Sequence, residues 1–173
     1  MTSITLETIN QASDAEAADH LRACNASPEW IARMLAGRPY PDVDALLDTA
    51  ERVARSLDWA EVGRALDEHP RIGERAEGGS TEAQWSRREQ AAVGTSTTAT
   101  RDALRTGNAE YERRFGHVFL IRAAGRSAEE MAAELDRRLR NDEASERSEV
   151  TEQLAQITRL RVETLLTDRH PNL

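Results

Sequence analysis

The chain has 173 residues and a net charge of −8, and 39% of its residues are apolar while only 4% are aromatic. This length suits one domain, expected over residues 1–173, and a core of Ala, Leu, Val and Ile at helical spacing predicts an all-α, irregular helical bundle. The acidic balance argues against nucleic-acid binding, and the absence of a long apolar run or a secretory pattern predicts a cytoplasmic protein without membrane contact.

The N-terminal half is predicted to consist of short helices that follow an extended lead-in over residues 1–12. Helix starts are recognisable because Ser, Thr and Asp side chains accept hydrogen bonds from the first free N–H groups of a helix. The predicted starts are, in order, Ser13, Ser27, Asp42 and Asp58. Apolar residues follow each start at about the 3.6-residue period of a helix.

The C-terminal half is predicted to continue as helices, with starts at Ser80 or Thr81, near Thr98, at Ser127 and near Ser145. The first of these helices is predicted to continue through Gln90 to Val93. Residues 117–121 are different, because this β-like apolar run between Gly116 and Gly125 is too short for a helix. A short buried extended segment near residues 117–122 leaves backbone N–H and C=O groups without partners inside the segment. Such groups suit a polar, amide-rich ligand, and an ordinary buried connector is an equally good interpretation.

The stretch from His69 to Glu74, with the sequence HPRIGE, carries the most suggestive chemistry. Because a residue before proline disfavours helical geometry, His69 is predicted just past a helix end, where the helix C-terminus favours a charged imidazole. Pro70 fixes its own φ, and Gly73 allows a turn with positive φ. A held imidazole suits proton transfer near neutral pH, although His-Pro pairs are also common punctuation at helix ends.

Three separated motifs carry a resemblance to a known family: HPRIG at 69–73, SRREQ at 86–90 and FGHVFLI at 115–121. With Trp30, Arg38-Pro39-Tyr40 and Leu160-Arg161, they resemble the decarboxylases of 2-oxo-4-hydroxy-4-carboxy-5-ureidoimidazoline (OHCU) over nearly the whole chain. The resemblance implies an all-helical enzyme of purine catabolism, often a homodimer, that needs neither metal nor cofactor. Its substrate would be OHCU, and its products would be (S)-allantoin and CO2.

The resemblance also implies roles for individual residues. His69 would donate the proton, and Glu89 would be the key carboxylate, either orienting His69 or hydrogen-bonding the 4-hydroxyl group of the substrate. Arg161 would hold the substrate carboxylate, which an arginine can bind bidentately. Further substrate contacts are implied for Pro70, Ser86, Arg87, Arg88 and Gln90, and for the backbone of Phe119, Leu120, Ile121, Arg122 and Ala123.

Arg122 departs from the family pattern, because a smaller or less polar residue is expected at that position. Its side chain either adds positive charge to the pocket or points to solvent, so that only its backbone takes part. Two other functions stay open: a helical interaction protein, and a hydrolase that uses a His/Glu pair on amides or ureides. A metal enzyme is disfavoured, because the single cysteine and the four histidines show no ligand spacing.

Overall fold

The computed structural model describes residues 4–74 and 78–167, and the secondary structure of these residues is entirely helical. The predicted all-α class is therefore confirmed. The helices within the described ranges are α1 (Leu6–Gln11), α2 (Asp14–Arg22), α3 (Pro28–Ala36), α4 (Val43–Arg55), α5 (Trp59–Leu66), α6 (Thr81–Glu89), α7 (Ala91–Gly94), α8 (Thr98–Phe115), α9 (Ala128–Arg138) and α10 (Glu143–Thr167).

Side-chain caps begin most of these helices, as predicted. The side chains of Ser13, Ser27, Asp42, Ser80 and Ser127 each accept a backbone N–H from the first turn of the helix that follows. Asp58 does the same for α5 through the Glu61 N–H, at 2.9 Å. Each such cap stabilises its helix by about 1 kcal/mol.

The predicted extended lead-in over residues 1–12 is wrong for the part that the structure describes, since residues 6–11 form α1. Thr5 accepts the Thr8 N–H at 3.1 Å, and the Thr8 hydroxyl accepts the Thr5 N–H at 3.3 Å. This reciprocal pair is a capping box in which threonine replaces the usual Glu or Gln, which is why the sequence pattern did not mark it. Ile9, only 1% exposed, anchors the helix in the core.

The chain divides into two compact units, with the described residues 4–65 and 155–167 in the first and 66–154 in the second. In the first unit, Trp30 is fully buried and its indole N–H donates to the Ala50 carbonyl at 3.0 Å. Asn25 donates to the Thr158 hydroxyl at 3.2 Å, so this unit has its own buried polar contacts. A single domain over residues 1–173 stays a prediction.

The second unit contains the HPRIG and SRREQ motifs and the segment 117–123, which is irregular and connects α8 to α9. A Cβ atom added at Gly107 would lie 2.6 Å from Leu135 Cδ2, so α8 and α9 can approach this closely only because residue 107 is glycine. The core of this unit consists of Ile72, Val93, Leu104, Tyr111, Phe119, Ile121, Ala123, Ala128, Met131 and Leu135.

Candidate functional site

His69 lies where the sequence predicted, just past a helix end. Helix α5 ends at Leu66, and the His69 N–H donates to the Leu66 carbonyl at 2.9 Å. His69 and Pro70 are both half-buried. Gly73 has a φ of 94°, which confirms the predicted turn with positive φ. The imidazole is thus carried by a short turn whose backbone is fixed at both ends.

Helix α8 holds this turn from one side. Asn108 donates through Nδ2 to the Ile72 carbonyl at 2.6 Å, and Arg71 donates through Nε to Glu112 at 2.7 Å. The hydrogen bond to Glu112 raises the pKa of Arg71, so the guanidinium stays charged. Ile72 is 5% exposed and belongs to the core of the unit. These contacts restrain the residues that directly follow His69 and Pro70.

Gln90 joins the two polar motifs. The Gly73 N–H donates to Gln90 Oε1 at 3.0 Å, so HPRIG and SRREQ meet at a direct hydrogen bond. The helix predicted to pass through this region breaks at Gln90, which separates α6 from α7 with φ −97° and ψ 15°. The sequence pattern missed this break, and the break is what places the Gln90 side chain at the turn.

A cavity of about 350 Å³ lies beside this hydrogen bond. It is lined by Gly73, Glu74, Ser86, Arg87, Gln90, Ala91, Val93, Gly94 and Arg101. Three residues of the predicted binding wall, Ser86, Arg87 and Gln90, therefore face one space together with the HPRIG turn. A second cavity of about 330 Å³ shares Gly73, Glu74 and Arg101 and continues along α8.

The other residues of the SRREQ motif have different surroundings. Arg88 is exposed, and Glu89, the last residue of α6, is half-buried. Arg87 donates to the Gly78 carbonyl at 2.9 Å, which fixes part of its side chain. The motif thus offers one exposed cation and one partly shielded carboxylate next to Gln90.

The segment Phe119–Ala123 is buried except at Arg122, which is half-buried. Its side chains alternate, because Phe119, Ile121 and Ala123 belong to the core of the unit while the two residues between them do not. The Leu120 carbonyl accepts from Arg138 Nη1 at 2.5 Å, and the Arg122 N–H donates to Gln153 at 2.9 Å.

The Ile121 backbone differs from that of Leu120 and Arg122 in its hydrogen bonding. Among the residues that the structure describes, no group hydrogen-bonds to the Ile121 N–H or C=O, although this residue is only 2% exposed. The Nε of Arg122 is likewise a buried donor without an acceptor in the described part of the chain.

Arg161 belongs to the first unit and lies on α10, where it is 3% exposed. Its Nη1 donates to the Ala23 carbonyl at 3.4 Å. The burial of Arg161 and of Val162, the next residue, places this arginine close to the apolar side of α10. A buried guanidinium is costly unless it is partnered.

Arg138, Glu146 and Tyr111 form a buried polar cluster that the sequence motifs did not predict. Arg138 is 1% exposed and donates through Nε to Glu146 at 2.9 Å, and the Tyr111 hydroxyl also donates to Glu146. Burial is the main cause that raises the pKa of Tyr111, and the hydrogen bond to Glu146 raises this pKa further. The signal was present in the sequence, because Arg138 occupies an apolar position of α9 after Met131 and Leu135.

Two further findings concern the described residues as a set. None of their His, Cys, Asp and Glu side chains form a group of three or more that is arranged to hold a metal ion. No helix within the described ranges has the length and apolar character that crossing a membrane requires.

Comparisons with known proteins agree on one family. The model of the OHCU decarboxylase family matches residues 10–163. A decarboxylase of 2-oxo-4-hydroxy-4-carboxy-5-ureidoimidazoline from Haloferax volcanii is 24% identical over 163 residues, which are 94% of this chain and 96% of that protein. The protein of the same name from Amia calva is 31% identical over 142 residues, which are 80% of this chain and 81% of that protein.

The fold also matches a solved structure, the crystal structure of OHCU decarboxylase in the presence of (S)-allantoin. The TM-score is 0.72 at 24% sequence identity, and the match covers 87% of this chain and 99% of the other. This likeness supports the fold assignment independently of the sequence motifs.

Proposed function

Because the chain belongs to the OHCU decarboxylase family, it is a carboxy-lyase of urate degradation, and we propose that His69 donates the proton that completes the conversion of OHCU into (S)-allantoin and CO2. The hydrogen bond from Gly73 to Gln90 carries this proposal, since it brings the His69 turn to the SRREQ motif. A homodimer in the cytoplasm, folded as one domain and acting without a cofactor, belongs to the same proposal.

The substrate itself explains why a histidine and a carboxylate suffice for the proposed reaction. When the bond between the ring and its carboxylate breaks, the electron pair moves toward the neighbouring C=N bond. The hydroxyl-bearing carbon then becomes a carbonyl while the adjacent carbon takes a proton. A positioned general acid accelerates such a step about 10²–10⁴-fold, and delivery to one face sets the product's chirality.

The half-buried position of His69 supports its role as proton donor. An imidazole can carry a proton near neutral pH, and a turn tied to Leu66, Ile72 and Gly73 limits how far it can move. Glu89 adjoins Gln90 at the end of α6, and we assign it either the orientation of His69 or a hydrogen bond to the 4-hydroxyl group. Ser86, Arg87 and Gln90 line the shared cavity and form the polar wall. Pro70 and the exposed Arg88 complete the proposed contacts.

The backbone of the Phe119–Ala123 segment is proposed to bind the amide groups of the substrate. OHCU carries ring and ureido N–H and C=O groups, which pair well with free backbone groups. The Leu120 carbonyl and the Arg122 N–H already have partners within the protein. The Ile121 N–H and C=O lack such partners among the described residues, so we assign the central contact to Ile121.

Arg161 is proposed to hold the substrate carboxylate. Binding a carboxylate tightly opposes its departure as CO2, so this arginine would act in positioning more than in transition-state stabilisation. The family resemblance at Leu160-Arg161 supports the role, and a substitution that keeps the charge but loses the planar fork, Arg161→Lys, tests it. We expect a higher KM with a smaller change in kcat.

The experiment that tests the proposed reaction uses OHCU generated freshly from urate by urate oxidase and the upstream hydrolase. Circular dichroism follows the allantoin product, and released CO2 is measured in parallel. We expect the wild type to form one enantiomer rapidly with one CO2 per turnover, and His69→Asn to lose this activity. His20→Asn, the same change on α2, is the matched control and should behave as wild type.

The outcomes separate the alternatives. Slow racemic allantoin from both wild type and His69→Asn would overturn the decarboxylase proposal. Consumption of an amide or ureide without CO2 would instead support the His/Glu hydrolase. Full activity in His69→Asn would leave the proposed reaction standing but would show that His69 is not the proton donor.

A further inference from the structure

The buried ion pair between Arg138 and Glu146 connects three parts of the second unit. Both side chains are 1% exposed, and Arg138 Nε donates to Glu146 Oε1 at 2.9 Å. Removing two charges from water costs several kcal/mol per ion, and the attraction between them often does no more than offset that cost. A pair of this kind is therefore weak evidence for a purely stabilising role, and its other contacts indicate what it does.

Those contacts lead to the proposed substrate segment. Arg138 Nη1 donates to the Leu120 carbonyl at 2.5 Å, and the guanidinium lies 4.7 Å from the centre of the Phe119 ring. Glu146 is fixed in turn by the Tyr111 hydroxyl and by Asn141 Nδ2 at 3.0 Å. The Tyr111 ring meets the Phe119 ring edge-on at 5.4 Å. The guanidinium is thus bound by Glu146 and contacts both the Leu120 carbonyl and the Phe119 ring of the segment.

Gln153 holds the same edge of the segment two residues further on. Its Oε1 accepts the Arg122 N–H at 2.9 Å. In an extended chain, successive residues turn their N–H and C=O groups to opposite sides, so those of Leu120 and Arg122 share one side. The alternation of the side chains that belong to the core, those of Phe119, Ile121 and Ala123, agrees with this geometry.

We infer that Arg138 and Gln153 are positioning residues, which bind one edge of the Phe119–Ala123 backbone so that the Ile121 N–H and C=O on the other edge face the substrate. This inference rests on the proposed function and extends it to residues that touch no reacting atom. The segment is irregular and leaves Ile121 without partners among the described residues, so the hydrogen bonds of Arg138 and Gln153 add to core packing in fixing its backbone.

Two variants test the inference. Gln153→Met removes the acceptor of the Arg122 N–H at a half-buried position, so the fold should survive. Arg138→Met with Glu146→Gln removes both charges, which avoids an isolated buried ion, and keeps one side-chain oxygen that can accept from Tyr111. Arg137→Met is the matched control, because this neighbouring arginine bonds to Glu134 and Glu149 on the surface.

Steady-state kinetics with OHCU, the enantiomeric purity of the allantoin and the melting temperature are measured for each protein. We expect Gln153→Met and the double variant to raise KM about tenfold, corresponding to about 1.4 kcal/mol of lost binding, with kcat within about twofold. Looser binding should also lower enantiomeric purity. Arg137→Met should match wild type in all kinetic values.

Each result decides the inference. If both variants keep KM and enantiomeric purity within about twofold of wild type, the inference is overturned while the proposed function stands. If the double variant does not fold, Gln153→Met alone decides. If the wild type itself does not turn over OHCU, the proposed function fails and this inference fails with it.

Discussion

The Asn108 side chain donates a 2.6 Å hydrogen bond to the backbone carbonyl of Ile72, and it connects α8 to the turn that carries His69. Asn108 is 6% exposed, and its own Oδ1 has no hydrogen-bond partner within the described part of the chain. One buried amide therefore holds the backbone three residues beyond the proposed proton donor. The amide orientation follows from the contact, since only Nδ2 can donate to a carbonyl.

We expect Asn108→Ala to lower the free energy of unfolding by about 1–3 kcal/mol, because the buried Ile72 carbonyl loses its donor. Asn108→Asp should cost more, since it places an acceptor opposite that carbonyl and buries a charge. Urea unfolding measures both. Wild-type stability in both variants would show that the hydrogen bond does not hold the turn, and kcat in the folded Asn108→Ala protein reports whether His69 has moved.

Arg122 is expected to lower the stability of the protein and to favour binding of the substrate. Its Nε is a buried donor that lacks an acceptor among the described residues, so the ligand-free protein bears an unsatisfied polar group. Arg122→Met removes this cost, and we expect the free energy of unfolding to rise by up to about 1 kcal/mol. If the donor serves the anionic substrate, KM for OHCU should rise several-fold at the same time. Arg113→Met, an exposed change near the end of α8, should alter neither value.

Helix starts could be predicted from the sequence because a cap and the N–H groups it accepts lie within one turn. Ser13 and Ser127 are examples, and the glycine turn at Gly73 was predictable for the same local reason. The break at Gln90 was not, because its side chain bonds to Gly73, which lies in another part of the sequence.

The buried cluster of Arg138, Glu146 and Tyr111 could not be predicted from the sequence for the same reason. An arginine at an apolar helix position signals a buried charge, yet nothing near it in the sequence identifies Glu146 on α10 or the Leu120 carbonyl as its partners. The site residues were found through separated motifs, whereas the contacts that hold those motifs together depend on the tertiary fold.

The Arg137–Glu134 pair should make a small part of the stability depend on pH. The hydrogen bond from Arg137 lowers the pKa of Glu134. A carboxyl group whose pKa is lower in the folded chain contributes stability above its unfolded pKa of about 4.3, and this contribution is lost as the pH falls through the folded pKa. Because Arg137 is half-exposed, the contribution should stay below about 1 kcal/mol.

Urea unfolding at pH 7 and at pH 3 checks this. Arg137→Met should be slightly less stable than wild type at pH 7, and the difference should shrink at pH 3, because protonation of the carboxyl group weakens its interaction with Arg137. Arg105→Met, which breaks a far more exposed pair with Asp102, serves as the control with little effect at either pH. A stability difference that is the same at both pH values would argue that Arg137 acts through packing.

Two glycines should respond to alanine with opposite signs. Gly73 has a φ of 94°, where an L side chain is strained even though no neighbouring atom lies within 4 Å of the new Cβ. Gly63 lies inside α5, also with nothing within 4 Å and without a positive φ. Thermal and urea unfolding of the two variants therefore compare backbone conformation alone, free of steric clashes.

We expect Gly73→Ala to lower the free energy of unfolding by about 1–2 kcal/mol, because the left-handed region is unfavourable for a residue with a Cβ. It should also lower kcat, since relaxing the strain moves the backbone that follows His69 and Pro70. Gly63→Ala should raise stability by about 0.5–1 kcal/mol through its helix propensity and leave kcat unchanged. Activity that survives in Gly73→Ala with wild-type kcat would mean that the turn geometry does not set the position of the imidazole.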